Sequence, residues 1–440
     1  LQTIKLYYKD WYKDLYPIPN ATSDSDIAKI KAEEFTSYDE FKKFINSNIE
    51  STRHPEFIMN QRIEEHKPGL IKLALDDDRK IYLSNNHDNP DYIIFSGKVR
   101  YDSLDFEKLH YFKTLNKRFL FINLHEGSYD DWTHNKLKGL IGYDNCTFIS
   151  SNTIYENLES DYGIWFPFFA YSMGQEVNQY SDVKRQFSIK DYEVRISDID
   201  KWIESPKEKK YYSLNKSCNR AHRSVFLLWL YKNGYLKDGY VSALLYDHID
   251  FSDELFKIIH QYRTMRNLTK EDSIELIKLF PFNLDSVTQE EIGEQASPKY
   301  NIASYYENSC FNIVTETDFF SKGCNLTEKI FKPILNGQFF IPIGNKGLVG
   351  NLEKLGFKKY TILDYSFDEC ENDFQRLDMV LSEIDRFLKM TNEELIEVIK
   401  KDIDIIRENQ KHFLSLNIND GFKILYDKLK HNENGLNNRL

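Results

Sequence analysis

The stretch from Tyr305 to Phe357 carries the residues best suited to chemistry. A run with strand character ends in Thr315-Glu316-Thr317. A loop with Lys322-Gly323 follows, and Leu326-Thr327-Glu328-Lys329 opens a helix. Amide groups at a helix start favour an anion, and a lysine in that first turn adds a full positive charge. Carboxylates beside them can accept hydrogen bonds from ribose hydroxyls. The combination suits a nucleoside diphosphate, with Glu316 or Glu328 on a sugar ring and Lys329 near phosphate. A glutamate in a first helical turn also favours the macrodipole without any ligand.

A second basic segment, Tyr212-Ser-Leu-Asn-Lys-Ser-Cys-Asn-Arg-Ala-His-Arg223, leads from a strand into a helix. Lys216, Arg220 and Arg223 are cations where the macrodipole disfavours them, so three in one loop ask for an anion. A third segment, Phe119-Leu-Phe-Ile-Asn-Leu-His125-Glu126-Gly127-Ser128, puts a histidine and a glutamate where a strand meets a loop. Asp76-Asp77-Asp78 and Asp198-Ile-Asp200 have the look of metal-binding carboxylates. The first runs straight into Arg79-Lys80, and such runs are more often solvated turns. No HExxH, GxSxG or P-loop is present, so zinc peptidase, serine hydrolase and Walker-type ATPase lack support. Gly344-Asn-Lys-Gly347 reads better as a strand-to-helix turn than as a phosphate loop.

The tract NSCFNIVTET (308–317) with LTEKIFKPILNGQFFIPIG (326–344) resembles the nucleotide-sugar segment of GT-B glycosyltransferases. It is closest to the bacterial α1,3-fucosyltransferase type and related polysaccharide and O-antigen transferases. The resemblance covers about 50 residues well and the rest only by layout. It implies that Arg223 grips the donor's diphosphate, with Asn215, Lys216 and Arg220 beside it. It implies a donor site completed by Glu316, Thr327, Glu328 and Lys329. In the fucosyltransferase type the base is a Glu after a first-domain strand, followed by an Ile-Gly-Phe/Tyr-Asp segment. Gly139-Leu-Ile-Gly-Tyr143-Asp144 matches that order, so the resemblance makes Glu126 the base and His125 its runner-up. Retaining relatives often carry a second Glu eight residues after the first. Here that position is Cys324, which favours inversion. The inserted Asp318-Phe-Phe-Ser-Lys-Gly323 departs from the pattern and borders the expected donor pocket.

These residues need elements to hold them. Thr3–Tyr8, Ile71–Leu75, Tyr92–Phe95, Phe119–Leu124 and Thr147–Ile149 are short runs suited to buried parallel strands, and Ser37–Ile49 has helical spacing. A charged stretch, Ser181 to Lys210, reads as a connection between domains. After it the pattern restarts with strands at Tyr211–Leu214, Tyr240–Leu245, Phe311–Thr315, Phe339–Ile343 and Tyr360–Leu363. Helices are expected at Ala221–Tyr231 (Val225, Leu228 and Trp229 inward), Asp253–Leu279 and Thr327–Asn336, the last closed by Gly337. Pro333 should kink that helix. Thr391 and Glu394 form a capping-box pattern before one long helix with an apolar stripe of Ile396, Ile399, Ile403, Ile406 and Phe413.

The expected fold is therefore α/β: two Rossmann-like domains facing a cleft, with a long C-terminal helix. The expected boundaries are 1–185 for an acceptor domain, 186–385 for a nucleotide-sugar donor domain and 386–440 for a helical arm. A length of 440 residues permits that division, and 41% hydrophobic with 29% charged residues is globular. The net charge of 58 − 69 = −11 argues against stable nucleic-acid binding, although a nucleobase acceptor stays open. No run of 18 apolar residues suggests a membrane span, and no basic-then-apolar leader opens the chain. The chain begins at Leu1, so residues upstream are expected. Five scattered cysteines without a CxxC read as reduced thiols of a cytoplasmic protein. The expected partners are a nucleotide-sugar donor and a glycan or other hydroxyl-bearing acceptor, with no cofactor beyond the co-substrate and no metal. Two alternatives stand: a transferase of a CMP-linked acidic sugar, and a non-catalytic nucleotide- or glycan-binding protein of the same fold.

Overall fold

Runs of β-branched and aromatic residues pair into two mainly parallel sheets in the computed structural model. It describes residues 4–5, 34–35, 70–75, 80–83, 92–96, 118–123, 146–153, 163–167, 169–171, 173, 199–215, 220–243, 261–262, 269–279, 303–321, 323–416, 421 and 424. Contacts divide the chain into one unit of Leu1–Phe168 with Asn419–Leu440, and a second of Phe169–Ile418.

In the first unit β1 (Ile4–Lys5) and β2 (Glu34–Phe35) form an antiparallel pair. The main sheet contains β3 (Leu70–Leu75), β4 (Lys80–Leu83), β5 (Tyr92–Ser96), β6 (Arg118–Asn123), β7 (Cys146–Ser150) and β8 (Gly163–Trp165). Its order is β4-β3-β5-β6-β7-β8, parallel except for β4 against β3. Composition marked β3, β5, β6 and β7 in advance. The edge strands β4 and β8 are short, at four and three residues, and carry no comparable signal in the sequence. Ser37–Ile49 lies outside the described residues.

The second unit's sheet is β9 (Lys209–Asn215), β10 (Gly239–Ala243), β11 (Ser309–Thr315) and β12 (Phe340–Ile343). All its pairs are parallel, in the order β10-β9-β11-β12. All seven residues of β11 are buried, as a central strand covered on both faces requires. The charged stretch before β9 is partly built into this unit: α1 (Ile199–Glu204) buries Ile199 and Ile203. Helix α2 (Ala221–Lys232) follows β9 and buries every residue from His222 to Leu230. The one-sided face expected of it is therefore corrected; it is a helix surrounded on all sides. Then come α3 (Lys270–Lys278), α4 (Ala303–Glu307) and α5 (Glu328–Leu335). Thr327 caps α5 and Gly337, at φ +60°, closes it. Pro333 lies inside α5, where it cannot donate a helical hydrogen bond.

Four α-helices follow the sheet among the described residues. Helix α6 (Leu348–Lys354) comes after β12, and α7 (Asp373–Leu388) buries Leu377, Val380, Leu381, Ile384, Phe387 and Leu388 at helical spacing. Phe387 meets Phe311 of β11 and Phe339 at 5.8 and 5.3 Å between ring centroids. The run Tyr360–Leu363 is not a strand. Its backbone is claimed by side chains instead of a ladder: Ile362 N–H donates to Asp402, and the following Asp364 N–H to Glu383, both at 3.0 Å.

The expected single tail helix is two helices, α8 (Asn392–Ile399) and α9 (Ile403–Ser415), joined by a 3-10 turn at Lys400–Asp402. The Thr391–Glu394 capping box is present. The turn brings Asp402 inward, where it accepts from Thr361 Oγ1 at 2.5 Å and from Ile362 N–H. The buried stripe is Leu395, Ile399, Asp402, Ile406, Asn409, Gln410 and Phe413, so Ile396 and Ile403 lie at its margin. Phe413 stacks on Phe331 of α5 at 5.4 Å, and Gln410 Nε2 donates to the Leu335 carbonyl at 2.7 Å.

Candidate functional site

A parallel sheet offers a crevice where neighbouring strands send their crossovers in opposite directions. In the second unit that point lies between β9 and β11: the chain leaves β9 for β10 on one side and β11 for β12 on the other. The carboxyl ends there are Asn215 and Thr315, and the two segments that follow are those the sequence singled out. Strand order thus brings the Arg220–Arg223 helix start and the Glu316–Lys329 segment to one edge of one sheet.

That edge is tied by side chains. Asn215 is fully buried, accepts from Thr315 Oγ1 at 2.6 Å and donates to Ser213 Oγ at 3.2 Å. Its backbone N–H donates to Ser242 Oγ at 3.1 Å, so one asparagine links the ends of three strands. Arg223 is 4% exposed and donates to the carbonyls of Glu316 at 2.9 Å and Thr315 at 3.3 Å. His222 Nε2 reaches the same Glu316 carbonyl at 2.9 Å, which requires the Nε2–H tautomer. Burial, and then the Arg223 charge, push this histidine down to about 3, so it is neutral near pH 7. Arg220, at the start of α2, is exposed.

Glu316 braces the loop from inside. Oε2 accepts from Thr327 Oγ1 at 2.5 Å and Thr317 N–H at 3.2 Å, and Oε1 accepts from Thr327 N–H at 3.2 Å. Burial pushes Glu316 up to about 7, outweighing the Lys329 charge and the two Thr327 donors that favour the carboxylate. Outside this brace Lys329 Nζ contacts Glu328 Oε1 at 2.7 Å, Thr317 Oγ1 at 3.0 Å and Thr327 Oγ1 at 3.3 Å. The Lys329 side chain is 23% exposed and that of Glu328 is 8%. Lys329 is thus the partly exposed member of the pair at the helix start, and Glu328 lies buried against it.

The shift of Glu316 has a measurable consequence. The folded protein keeps this proton up to about pH 7, whereas the unfolded chain releases it near 4.5. Between those values the unfolded state binds fewer protons, so stability falls as pH rises. The loss is about 3 kcal/mol by pH 8. Glu316→Gln is expected to flatten this part of the profile, read as the difference between wild-type and variant urea midpoints at pH 4.5 and 8. Parallel profiles would contradict it.

A second brace had no sequence signal. Arg376 of α7 is 2% exposed and donates to the carbonyls of Phe319 (2.7 Å), Cys370 (3.0 Å) and Gly344 (3.3 Å), and to Asp373 (2.5 Å). Its guanidinium covers the Phe319 ring at 4.5 Å, and His222 stacks with that ring at 5.4 Å. The Gly344–Gly347 segment is a strand-to-helix turn, with Gly347 at φ +74°. The amides beyond it are occupied: Asp368 accepts from Val349 N–H at 3.1 Å and Gly350 N–H at 3.0 Å. A carboxylate already sits where a phosphate would.

His125, Glu126, Lys216 and Asp76–Asp78 lie outside the described residues. Among the described residues no group of three His, Cys, Asp or Glu is disposed to hold a metal ion, and no helix is long and apolar enough to cross a membrane. Cys310 and Cys324 are buried, Cys370 is partly exposed, and none of the three is in a disulfide.

No family model matches the chain, and no curated protein does. Among solved structures it is similar to an α1,3-fucosyltransferase at 11% identity and TM-score 0.35, over 85% of this chain and 90% of that one. It is also similar to MnaA of S. aureus in its UDP co-structure, at 8% identity and TM-score 0.31, over 94% and 87%. A glycosyltransferase of Rickettsia africae ESF-5 is similar at 12% identity and TM-score 0.32, over 83% of each chain. Likenesses this remote assign no residue. The candidate site stands on strand order and side-chain geometry.

Proposed function

We propose that the chain is a glycosyltransferase that moves a sugar from a nucleotide-sugar donor to a hydroxyl acceptor. The observation that supports this reading is the reversal of strand order between β9 and β11, which gathers both basic segments at one crevice. Arg220 and Lys329 supply positive charge for the diphosphate, where leaving-group charge develops during transfer. They take the part a metal would otherwise play, so the reaction is read as metal-independent. Glu328, in the first turn of α5 beside the partly exposed Lys329, is the carboxylate for a sugar hydroxyl, because Glu316 has both oxygens engaged by Thr317 and Thr327. Arg223 acts chiefly as a positioning residue, since its guanidinium holds the carbonyls at the end of β11. Glu126, with His125 beside it in sequence, takes the acceptor proton. Cys324, where a retaining relative would have a second glutamate, favours inversion.

Thermal unfolding with GDP, UDP and CMP tests the donor class. A ligand at a hundredfold excess over its Kd adds about 2.7 kcal/mol. For a unit of this size that is a rise in Tm of roughly 5–10 °C. A nucleoside diphosphate is expected to give that rise and CMP a smaller one. A response to CMP alone would favour an acidic-sugar donor, and no response to any nucleotide would overturn the reading.

A further inference from the structure

We propose that Phe320 is the platform on which the flat base of the donor nucleotide stacks; this rests on the nucleotide-donor reading above. Most large apolar side chains of the second unit are buried, yet Phe320 is 40% exposed. It belongs to the segment between β11 and α5, at the crevice where the strand order reverses.

Its exposure is not looseness of the loop, because both neighbours are fastened. Phe319 is 1% exposed, layered between Arg376 and His222, with its carbonyl held by Arg376 at 2.7 Å. On the other side Asn345 Nδ2 donates to the Ser321 carbonyl at 3.1 Å and to Ser321 Oγ at 2.9 Å. Ser321 Oγ in turn donates to the Gly323 carbonyl at 2.7 Å. The chain is thus pinned one residue before and one residue after an aromatic side chain it presents to solvent.

The ring is backed by other rings but not stacked on them. It meets Phe319 at 5.1 Å and 72°, His222 at 6.5 Å and 68°, and Phe374 at 6.1 Å and 52°. None of these is a parallel contact, so the described rings support Phe320 without using its face for stacking. Of the parts of a nucleotide sugar, only the base is a flat π-system. The phosphates have Lys329 and Arg220 to meet, and the sugar hydroxyls have Glu328. Stacking tolerates any base, so the platform contributes affinity and leaves the choice of base to other groups.

The full chain with Phe320→Ala and with Phe320→Trp tests this. The probes are inorganic pyrophosphate and the nucleoside diphosphate that raises the wild-type Tm most. Phe320→Ala is expected to weaken the nucleoside diphosphate roughly 5- to 150-fold and leave pyrophosphate unchanged. Phe320→Trp is expected to retain nucleotide affinity, with added fluorescence quenched by the nucleoside diphosphate and not by pyrophosphate. An unchanged nucleotide Kd in Phe320→Ala, or equal loss of both ligands, would overturn the platform while leaving the donor reading intact. A wild-type protein that binds no nucleotide would overturn both. The side chain is exposed, so both variants are expected to fold, which an unchanged far-UV circular dichroism spectrum checks.

Discussion

Arg376→Ala is expected to lower the stability of the Phe169–Ile418 unit by roughly 3–5 kcal/mol. The residue is 2% exposed and satisfies three main-chain carbonyls from separate segments, those of Phe319, Gly344 and Cys370. Alanine leaves these acceptors without the guanidinium, and each buried polar group so stranded costs about 1–3 kcal/mol. The cation–π contact with Phe319 disappears as well. The ion pair to Asp373 adds little, because that carboxylate is 35% exposed and solvent screens it. Lysine restores charge but not the planar fork, so Arg376→Lys is expected to recover less than half of the loss. Urea unfolding gives the measurement: a midpoint lower by about 1–2 M with little change in slope. A difference below about 1 kcal/mol would show that the carbonyls find other partners. Nucleotide affinity is expected to fall too, since Phe319 and Phe320 sit in the loop that Arg376 secures.

The second large effect is on turnover. Glu126→Gln is expected to lower kcat by about 10²- to 10⁴-fold, the range that a positioned general base contributes, while donor affinity changes less than about twofold. Glutamine keeps the shape and one acceptor but cannot take the acceptor's proton. A glutamate in this role works near neutral pH only if burial raises it, so wild-type log kcat is expected to climb with pH and then level. The variant's residual rate should lack that limb. His125→Gln is the companion measurement. If it removes the limb and Glu126→Gln does not, the histidine is the base. Full activity in both variants would remove the segment from the reaction.

The strands were legible because they are short apolar runs with few other ways to satisfy their backbone. Tyr360–Leu363 has the same composition, but its Ile362 amide meets Asp402 and the adjoining Asp364 amide meets Glu383, 40 and 19 residues later. Nothing local encodes such a meeting. The candidate segment is local for the opposite reason: Thr315 to Lys329 is contiguous, and the contacts of Glu316 with Thr317 and Thr327 stay inside it. His222 and Arg376 were invisible as site residues. Their partners are main-chain carbonyls 94 and 57 residues away, and a carbonyl has no letter in a sequence. Arg223 was found by its charge, whereas its bonds to Thr315 and Glu316 are a matter of packing.

The fastening of α5 by α9 bears on how the protein comes off the ribosome. Phe331 waits for Phe413, and the Leu335 carbonyl waits for Gln410, 75 residues downstream. Strands β9 to β12 can emerge and pair before then, and α5 can meet β11 and Phe357, but the side of α5 that faces α9 stays uncovered until α9 has cleared the exit tunnel. During that interval the growing chain holds a partly uncovered phenylalanine face next to the candidate site. That face is where a chaperone would bind, and a pause in translation before residue 413 would prolong its exposure.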